Sequence, residues 1–303
     1  MKVLLACVVL LLAAPLGAQP SAKLVGYSTS WSGDAAGVPM RRLTHVNFAF
    51  VVPAKDGSLP PVKNAEKLQA LVAAARPAGT KVLIAVGGWN NGDDSAFEAL
   101  SAHPSSRARF VAESLRLVSA HGLDGVDMDW EYPDPGASSE NFALLMSELC
   151  GALHAQGKLC TAAVAATGRH GDGIASEVFA EVDFLNLMAY DGGNGEAHSP
   201  YSYAVASLDY WLGRGLPKQK AVLGVPFYGR PSWEKYSAIV ARDPEAPAKD
   251  SSGDVHYNGR DTLRRKARLA NERAGGVMIW ELSQDTADEK TSLLAVLAAA
   301  LGR

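Results

Sequence analysis

Residues 123–133 read Leu-Asp-Gly-Val-Asp-Met-Asp-Trp-Glu-Tyr-Pro, and within them Asp127, Asp129 and Glu131 recur at every second position. In an extended strand, side chains at positions i, i+2 and i+4 lie on the same face, so three carboxyl groups would stand side by side. The residues between them are all apolar: Val126, Met128 and Trp130. The alternation predicts a β-strand with one apolar face and one acidic face.

An acidic strand face is an unusual feature for folding alone to select. Acidic residues are depleted in strands, and like charges this close repel one another. A solvent-exposed edge strand is the structural alternative, but such a face usually carries Lys or Arg, and residues 122–137 contain neither. The pattern therefore favours a functional site.

The rest of the chain alternates strand-like and helix-like segments. The predicted strands are 24–28, 45–51, 81–86, 125–131, 159–165, 184–190, 221–227 and 276–281. Helical patterns lie at 65–76, 105–121, 139–156, 203–214, 261–273 and 288–301, with a short, weakly signalled helix at 39–42. Eight strand–helix units favour an α/β fold of one domain, a closed (β/α)8 TIM barrel, over an open doubly wound sheet.

Two segments support a single closed barrel. Residues 27–31, after the first strand, read Tyr-Ser-Thr-Ser-Trp and lack the glycine-rich nucleotide turn typical of an open sheet. Residues 229–258 show no periodic pattern and are rich in Pro, Asp and Ser. We expect this segment to be a surface excursion over the barrel mouth and not a second domain.

The N-terminus has the pattern of a secretory signal, with a Lys at position 2, an apolar run at 3–12 and small residues at 13–18. We predict a signal peptide at 1–19 and a catalytic barrel at 20–303, and therefore a secreted protein, extracellular or periplasmic. The apolar run is shorter than the roughly 20 residues of a membrane-spanning helix, so no membrane partner is expected.

Charge and cysteine content restrict the remaining classes. A formal net charge of -3, without a basic stripe, argues against a nucleic-acid partner. If Cys7 is removed with the signal peptide, Cys150 and Cys160 remain, and an oxidising compartment permits a disulfide that the sequence alone does not decide. No Cys/His cluster has zinc spacing, and we predict neither a metal nor another cofactor.

The acidic face points to acid catalysis on a sugar. Three neighbouring carboxyls inside a barrel cannot all stay ionised, so one should hold a proton near neutral pH. Glu131, nearest the rim, is the expected general acid, and Asp129 would orient it or a substrate group. Neighbours on one strand cannot flank a glycosidic bond from two sides, so the nucleophile must come from elsewhere, and a substrate N-acetyl group could supply it.

Aromatic residues near the strand ends suit sugar binding as well. Trp31, Trp89 and Trp280 all lie at or just beyond a predicted strand end, where pyranose rings could stack on them. Core packing is the alternative for any one of them. We assign Trp211, in the middle of a predicted helix, to the core, and Trp233 is compatible with either role.

These motifs resemble glycoside hydrolase family 18, the chitinase family. Residues 124–131 match its DxxDxDxE signature. Three further motifs occur in the expected order: Ala-Val-Gly-Gly-Trp at 85–89, Met-Ala-Tyr-Asp at 188–191 and Gly-Val-Met-Ile-Trp-Glu at 276–281. The resemblance covers essentially the whole mature chain.

The resemblance implies a role for each acidic residue. Glu131 would be the proton donor, and Asp129 would position the substrate acetamido group and stabilise an oxazolinium intermediate. Asp127 would share a proton or hydrogen bond with Asp129. Asp124 is out of register with the other three, and we expect it to be structural, tying the start of the strand to a neighbour.

The resemblance also implies a set of binding residues. Tyr190 and Asp191 would hold the acetamido oxygen and the sugar ring, and Trp280 would form the floor beneath a distorted sugar. Other positions would line the cleft: Tyr27, Phe50, Trp89, Met188 and Tyr228. The 229–258 segment looks too short for the α+β module that many family members insert there, which implies an open cleft suited to internal cleavage.

The expected protein is thus a monomeric, metal-independent chitinase that acts on chitin or N-acetylglucosamine oligosaccharides and retains anomeric configuration. A chitinase-like lectin is one alternative, although such proteins typically lack the acid at the place of Glu131. An endo-β-N-acetylglucosaminidase that acts on glycans is another. A Mg²⁺ site fits less well, since three ligands on one strand suit an octahedral ion poorly.

Overall fold

The structure, a computed structural model, describes residues 22–303. The predicted signal peptide and Cys7 lie outside the described residues. Eight parallel strands close into a barrel in chain order: β1 Lys23–Thr29, β2 His45–Val51, β3 Lys81–Gly87, β4 Gly125–Asp129, β5 Leu159–Ala165, β6 Phe184–Met188, β7 Ala221–Pro226 and β8 Gly276–Trp280. Strand β1 pairs with β8 to close it. The predicted (β/α)8 TIM barrel of one domain is confirmed.

Helices surround the barrel. In the part of the chain that the structure describes they are α1 Ala65–Ala75, α2 Ser95–Ala102, α3 Pro104–His121, α4 Ala137–His154, α5 Gly168–Asp172, α6 Val178–Glu181, α7 Tyr201–Gly213, α8 Tyr236–Arg242, α9 Arg260–Arg273 and α10 Leu293–Ala300. The predicted short helix at 39–42 is a 3₁₀ turn, Met40–Arg42. Pro104 at the first turn and left-handed Gly122 (φ 63°) explain why α3 begins and ends where it does.

The apolar face of β4 packs outward, as the alternation predicts. Val126, Met128 and Trp130 are all buried beneath helices. The Trp130 ring stacks on Phe97 of α2 with ring centroids 5.2 Å apart, and its Nε1 donates to Asp94 Oδ2 at 3.0 Å. Burial of this face leaves the acidic face inside the barrel.

Asp124 is structural, as expected. Its Oδ2 accepts a hydrogen bond from the backbone N of Val82 at 2.9 Å, and its Oδ1 accepts one from Lys81 Nζ at 3.0 Å. These bonds fix the start of β4 against the start of β3. A disulfide joins Cys150 of α4 to Cys160 of β5, which settles the pairing that the sequence left open.

The 229–258 segment is more regular than its sequence suggests. It contains α8 and two short hairpins, one pairing Tyr228–Gly229 with Glu234–Lys235 and one pairing Ser251–Ser252 with Val255–His256. Elements this short give no periodic signal. Tyr236 of α8 is fully buried, and its hydroxyl donates to Thr291 O at 2.9 Å, so the segment belongs to the barrel domain.

No helix among residues 22–303 is long and apolar enough to span a membrane.

Candidate active site

A cavity of about 780 Å³ opens at the carboxyl ends of the barrel strands. Every residue predicted to belong to the site lines it, except Asp127: Tyr27, Phe50, Trp89, Asp129, Glu131, Met188, Tyr190, Asp191, Tyr228 and Trp280. These residues come from different strand ends, which meet at one rim because all eight strands run parallel. The structure thus brings together residues more than 250 positions apart in the chain.

Asp127 lies beneath the cavity floor and is fully buried. Its carboxylate accepts hydrogen bonds from the hydroxyl of Tyr27, from Thr161 Oγ1 at 2.5 Å and from Asn186 Nδ2 at 3.0 Å. Burial raises the pKa of Asp127 to about 6, and these donors oppose that rise because they stabilise the charged form. Its partners come from β1, β5 and β6, so the barrel holds this side chain from three sides.

Asp129 lies one layer higher and has a different environment. It is buried, yet its Oδ1 has no hydrogen-bond partner among the described residues. Burial raises the pKa of Asp129 well above its usual range, and the nearby charges of Glu131 and Asp127 raise it further. An unpaired buried carboxyl oxygen is rare in folded proteins and is typical of a site that meets a ligand.

Glu131 lies two residues beyond the last residue of β4 and borders the cavity. The predicted strand 125–131 is therefore two residues too long, and the general acid candidate lies on the loop. Burial raises the pKa of Glu131 to about 7, opposed by a hydrogen bond from Tyr132. Near neutral pH this side chain is populated in both its protonated and charged forms.

Asp191 lies beyond the last residue of β6 and lines the cavity. Its Oδ2 accepts a hydrogen bond from the Tyr228 hydroxyl at 2.6 Å. Its Oδ1 lies 3.2 Å from His198 Nδ1 and 3.7 Å from Arg230 Nη1. Both carboxylate oxygens of Asp191 are therefore engaged by protein groups. Tyr190 differs, because its hydroxyl contacts only the sulfur of Met278, at 3.9 Å, among the described residues.

Aromatic rings form the floor and one end of the cavity. Phe50 and Trp280 stack with centroids 5.5 Å apart, and Tyr27 packs against Trp280 at 5.3 Å. Trp31 and Trp89 are 64% and 58% exposed although they are large and apolar. Exposed tryptophans at a cavity rim are typical of ligand surfaces rather than of a core.

The structure also shows whether Trp211 and Trp233 belong to the core or to the cavity. Trp211 is fully buried in the core, as expected. Trp233 is 57% exposed and lines the same cavity as Trp31. Its ring stacks on Tyr228 at 5.4 Å between centroids and lies 3.8 Å from the guanidinium carbon of Arg230. The segment after β7 therefore supplies an aromatic wall.

Sequence reasoning missed several residues of the site. Arg230 and the stacked pair Tyr132 and His170, with centroids 4.5 Å apart, line the cavity. Thr161 and Asn186 support Asp127 from below. The last two carry a signal that was available, since each is a lone polar residue within an otherwise apolar strand. Arg230 lies in the hairpin turn after β7 and His170 in the short helix α5, and neither carries a comparable pattern.

Comparisons with known proteins identify the family. A family model described as glycosyl hydrolases family 18 matches residues 23–285. The chain belongs to this family.

Individual relatives carry chitinase names. An endochitinase of Manduca sexta is 30% identical over 265 residues, which is 73% of this chain and 48% of the relative, so the chain spans about half its length. The structure of the GH18 chitinase ChiB from the chitin utilization locus of Flavobacterium johnsoniae is similar, with a TM-score of 0.82 and 29% identity over 93% of this chain and 94% of that one. A chitinase from Bacteroides thetaiotaomicron has a TM-score of 0.83 and 25% identity, covering 93% and 97% of the two chains.

Proposed function

We propose that this protein is a secreted chitinase that hydrolyses β-1,4-linked N-acetylglucosamine polymers with retention of anomeric configuration, using the acetamido group of the substrate as nucleophile. The observation that carries the proposal is the pair of carboxyls in the cavity floor, Asp129 and Glu131. Asp129 has a buried oxygen without a partner among residues 22–303, and Glu131 has a pKa of about 7.

The number and positions of the carboxylates in the cavity favour a mechanism in which the substrate supplies the nucleophile. Among the described residues that line the cavity, the carboxylates are Asp129, Glu131 and Asp191. Asp129 and Glu131 come from the same strand and its extension, so they approach a bound sugar from one side. The oxygens of Asp191 are engaged by Tyr228 and Arg230. No free carboxylate among residues 22–303 faces the acid pair, which supports a nucleophile supplied by the substrate.

In the first step, Glu131 donates its proton to the glycosidic oxygen while the bond from that oxygen to C1 breaks. The carbonyl oxygen of the acetamido group bonds to C1 and forms an oxazolinium ring. Asp129 Oδ1 accepts the acetamido N–H, and as the proton of Asp129 shifts toward Asp127 the Asp129 carboxylate stabilises the positive charge of the ring. In the second step the Glu131 carboxylate takes a proton from water, whose oxygen bonds to C1 and reopens the ring.

The remaining site residues would bind and orient the sugar. Tyr190 would donate its hydroxyl to the acetamido oxygen, since only a weak sulfur contact occupies it in the structure. Trp280, braced by Phe50 and Tyr27, would form the platform beneath the sugar ring at the cleavage point. Asp127 would act from below by keeping Asp129 in place and by sharing its charge or proton.

The shape of the cleft supports endo action. Small hairpins and α8 follow β7, and Trp233 provides a low aromatic wall there. An open cleft lets a long chain enter from the side, so we propose internal cleavage. Secretion rests on the predicted signal peptide at 1–19.

The test is product analysis with N-acetylglucosamine oligomers of four to six units. We expect β-anomers as the first products, with mixed lengths early in the reaction. Products of inverted configuration, or no cleavage of any oligomer, would refute the proposal. A polymer deacetylated at the cleavage position should resist hydrolysis, since it lacks the nucleophile.

Three further measurements separate the alternatives. Release of an intact glycan from a glycoprotein, without cleavage of chitin oligomers, would assign the protein as an endo-β-N-acetylglucosaminidase. Binding of oligomers without cleavage would assign it as a lectin. Activity should persist in excess EDTA, and its loss would favour a metal-dependent mechanism.

A further inference from the structure

We infer that His198 is a positioning residue that couples the ends of β6 and β7 and thereby holds Asp191 and Tyr228 in their working arrangement. The inference rests on the proposed function of the cleft. His198 itself does not line the cleft; it borders a separate cavity of about 320 Å³ on the outer side of the same loops. It can affect catalysis only through the residues that it contacts.

The contacts of His198 reach both loops. The side chain is 1% exposed, and its Nδ1 lies 3.2 Å from the backbone N of Asp191. Its Nε2 lies 3.3 Å from the backbone O of Tyr228. The N–H of Asp191 can only donate and the carbonyl of Tyr228 can only accept. The neutral tautomer with its proton on Nε2 satisfies both groups at once, and one side chain thus bridges the two strand ends. In this tautomer Nδ1 has no proton for Asp191 Oδ1, 3.2 Å away, and the charge of that oxygen is met by Arg230 Nη1 at 3.7 Å.

The hydrogen bond from Asp191 N–H to His198 Nδ1 forms at a residue with an unusual backbone conformation. Asp191 has a positive φ of 55°, a conformation that a residue with a Cβ rarely adopts. A bond from its N–H to a buried acceptor stabilises this conformation, which directs the carboxylate toward Tyr228. The resulting hydrogen bond between Asp191 Oδ2 and the Tyr228 hydroxyl measures 2.6 Å. A contact this short requires the two loops to keep a fixed separation.

His198 is itself fixed by the core. The next residue, Ser199, donates from Oγ to the backbone O of Ala189 at 2.7 Å. Lys266 of α9, fully buried, donates to Ser199 O, Ser199 Oγ and Asn258 Oδ1, each at 2.7 Å. The segment that carries His198 is therefore hydrogen-bonded to helix α9. These bonds fix the position of the imidazole between the two loops.

The imidazole ring adds a packing contact to these bonds. Its centroid lies 4.9 Å from that of the Tyr228 ring. His198→Phe keeps an aromatic ring at this place but removes the acceptor for Asp191 N–H and the donor for Tyr228 O. His198→Asn can keep the acceptor, and His198→Gln can keep the donor. The three variants separate ring packing from the two hydrogen bonds.

The experiment measures kcat and KM of the folded enzyme toward the N-acetylglucosamine pentamer. We expect His198→Phe to lower kcat about 10- to 100-fold, since small misplacements of orienting groups have effects of that size. KM should change by less than about threefold, because the exposed tryptophans at the rim are unaltered. His198→Asn and His198→Gln should each recover part of kcat.

A matched control is His154→Phe. His154 lies at the other end of the barrel, where its Nε2 is 3.1 Å from Asp183 Oδ2, and its substitution should leave kcat unchanged. In an Asp191→Ala background, His198→Phe should cost less than it does in the wild type, since the part of its effect that passes through Asp191 is already lost. Additive losses in the double variant would overturn the inference.

The outcomes also separate this inference from the proposed function. If the wild-type enzyme does not cleave the pentamer, the proposed function fails. If it does, and folded His198→Phe keeps the wild-type kcat, only the inference fails. If His198→Phe does not fold, the Asn and Gln variants decide, and wild-type kcat in both would overturn the role of His198.

Discussion

Asp127 and Asp129 are the same residue type, two positions apart on one strand face, and both are buried, yet their hydrogen-bonding environments in the barrel differ. Asp127 belongs to a lower layer in which its carboxylate meets three donors, from Tyr27, Thr161 and Asn186. Asp129 belongs to an upper layer in which one oxygen has no partner among the described residues. The carboxylate of Asp127 is thus satisfied within the protein, whereas we propose that a ligand supplies the missing partner of Asp129.

The difference shows how a folded barrel can hold reactive groups. The cost of burying a carboxyl is partly offset in the lower layer by hydrogen bonds, which hold the pKa of Asp127 to about 6. In the upper layer it persists as raised pKa values, which keep a proton available where the cleft opens. Substitutions in the upper layer should therefore damage activity and spare stability, and substitutions in the lower layer should damage stability first.

The largest effect is expected for Glu131→Gln. This change keeps the shape of the side chain and removes the proton that it donates, so kcat should fall by about 10²–10⁴. Oligomer binding, followed by tryptophan fluorescence, should persist. Glu140→Gln, on the exposed surface of α4, is the control. Wild-type turnover by Glu131→Gln would remove the distinction between the two layers.

The next prediction compares the two aspartates directly. Asp129→Asn should lower kcat about 100-fold without lowering stability, since it replaces a group that already favours its neutral form. Asp127→Asn places an amide against the Asn186 donor, and it should lower the free energy of unfolding by about 1–3 kcal/mol. Urea unfolding of both variants measures this. A stable Asp127→Asn beside an unstable Asp129→Asn would reverse the assignment.

A smaller effect is expected for Thr161→Val, which removes one donor to Asp127 at nearly constant volume. The free energy of unfolding should fall by about 1–2 kcal/mol, and kcat should fall only several-fold because Asp127 does not touch the substrate. Thr161→Ser keeps the hydroxyl and should retain most of both. Equal losses in the Ser and Val variants would show that packing, not the hydrogen bond, matters here.

The smallest effect concerns pH. The pKa of Glu131 is about 7 in the folded protein against an ordinary value of 4.5, so the folded state binds this proton more tightly than the unfolded state. Its contribution to stability is fully present below about 4.5 and is lost as pH rises through about 7. The melting temperature of Glu131→Gln minus that of the wild type should therefore increase by roughly 2–4 °C as the pH rises from 4 to 8.

The activity of the wild-type enzyme should change over the same range. A general acid must be protonated, so kcat/KM should decline above about pH 7. An unchanged melting difference between wild type and Glu131→Gln across this range would contradict the raised pKa. A decline in kcat/KM that begins near pH 4.5 would contradict it as well.

Much of this molecule could be predicted from local patterns. The alternation at 125–131 gave the correct strand faces, since a strand turns every second side chain to the same side. Long strands, and long helices such as α3, show the hydrophobic periodicity of their secondary structure clearly in the sequence. The short helices α5, α6 and α8 did not, because seven residues or fewer hardly define a 3.6-residue period.

The amino-acid sequence by itself determined the barrel, the row of acids inside it and the rim on which the aromatic residues gather. Only the tertiary structure decided which aspartate is satisfied and which is left open, that Cys150 bonds to Cys160, and that His198 bridges two loops. The physical reason is the separation along the chain between the residues that interact. Periodicity acts between neighbours along the chain, whereas the donors that distinguish Asp127 from Asp129 lie on other strands, up to 100 positions away.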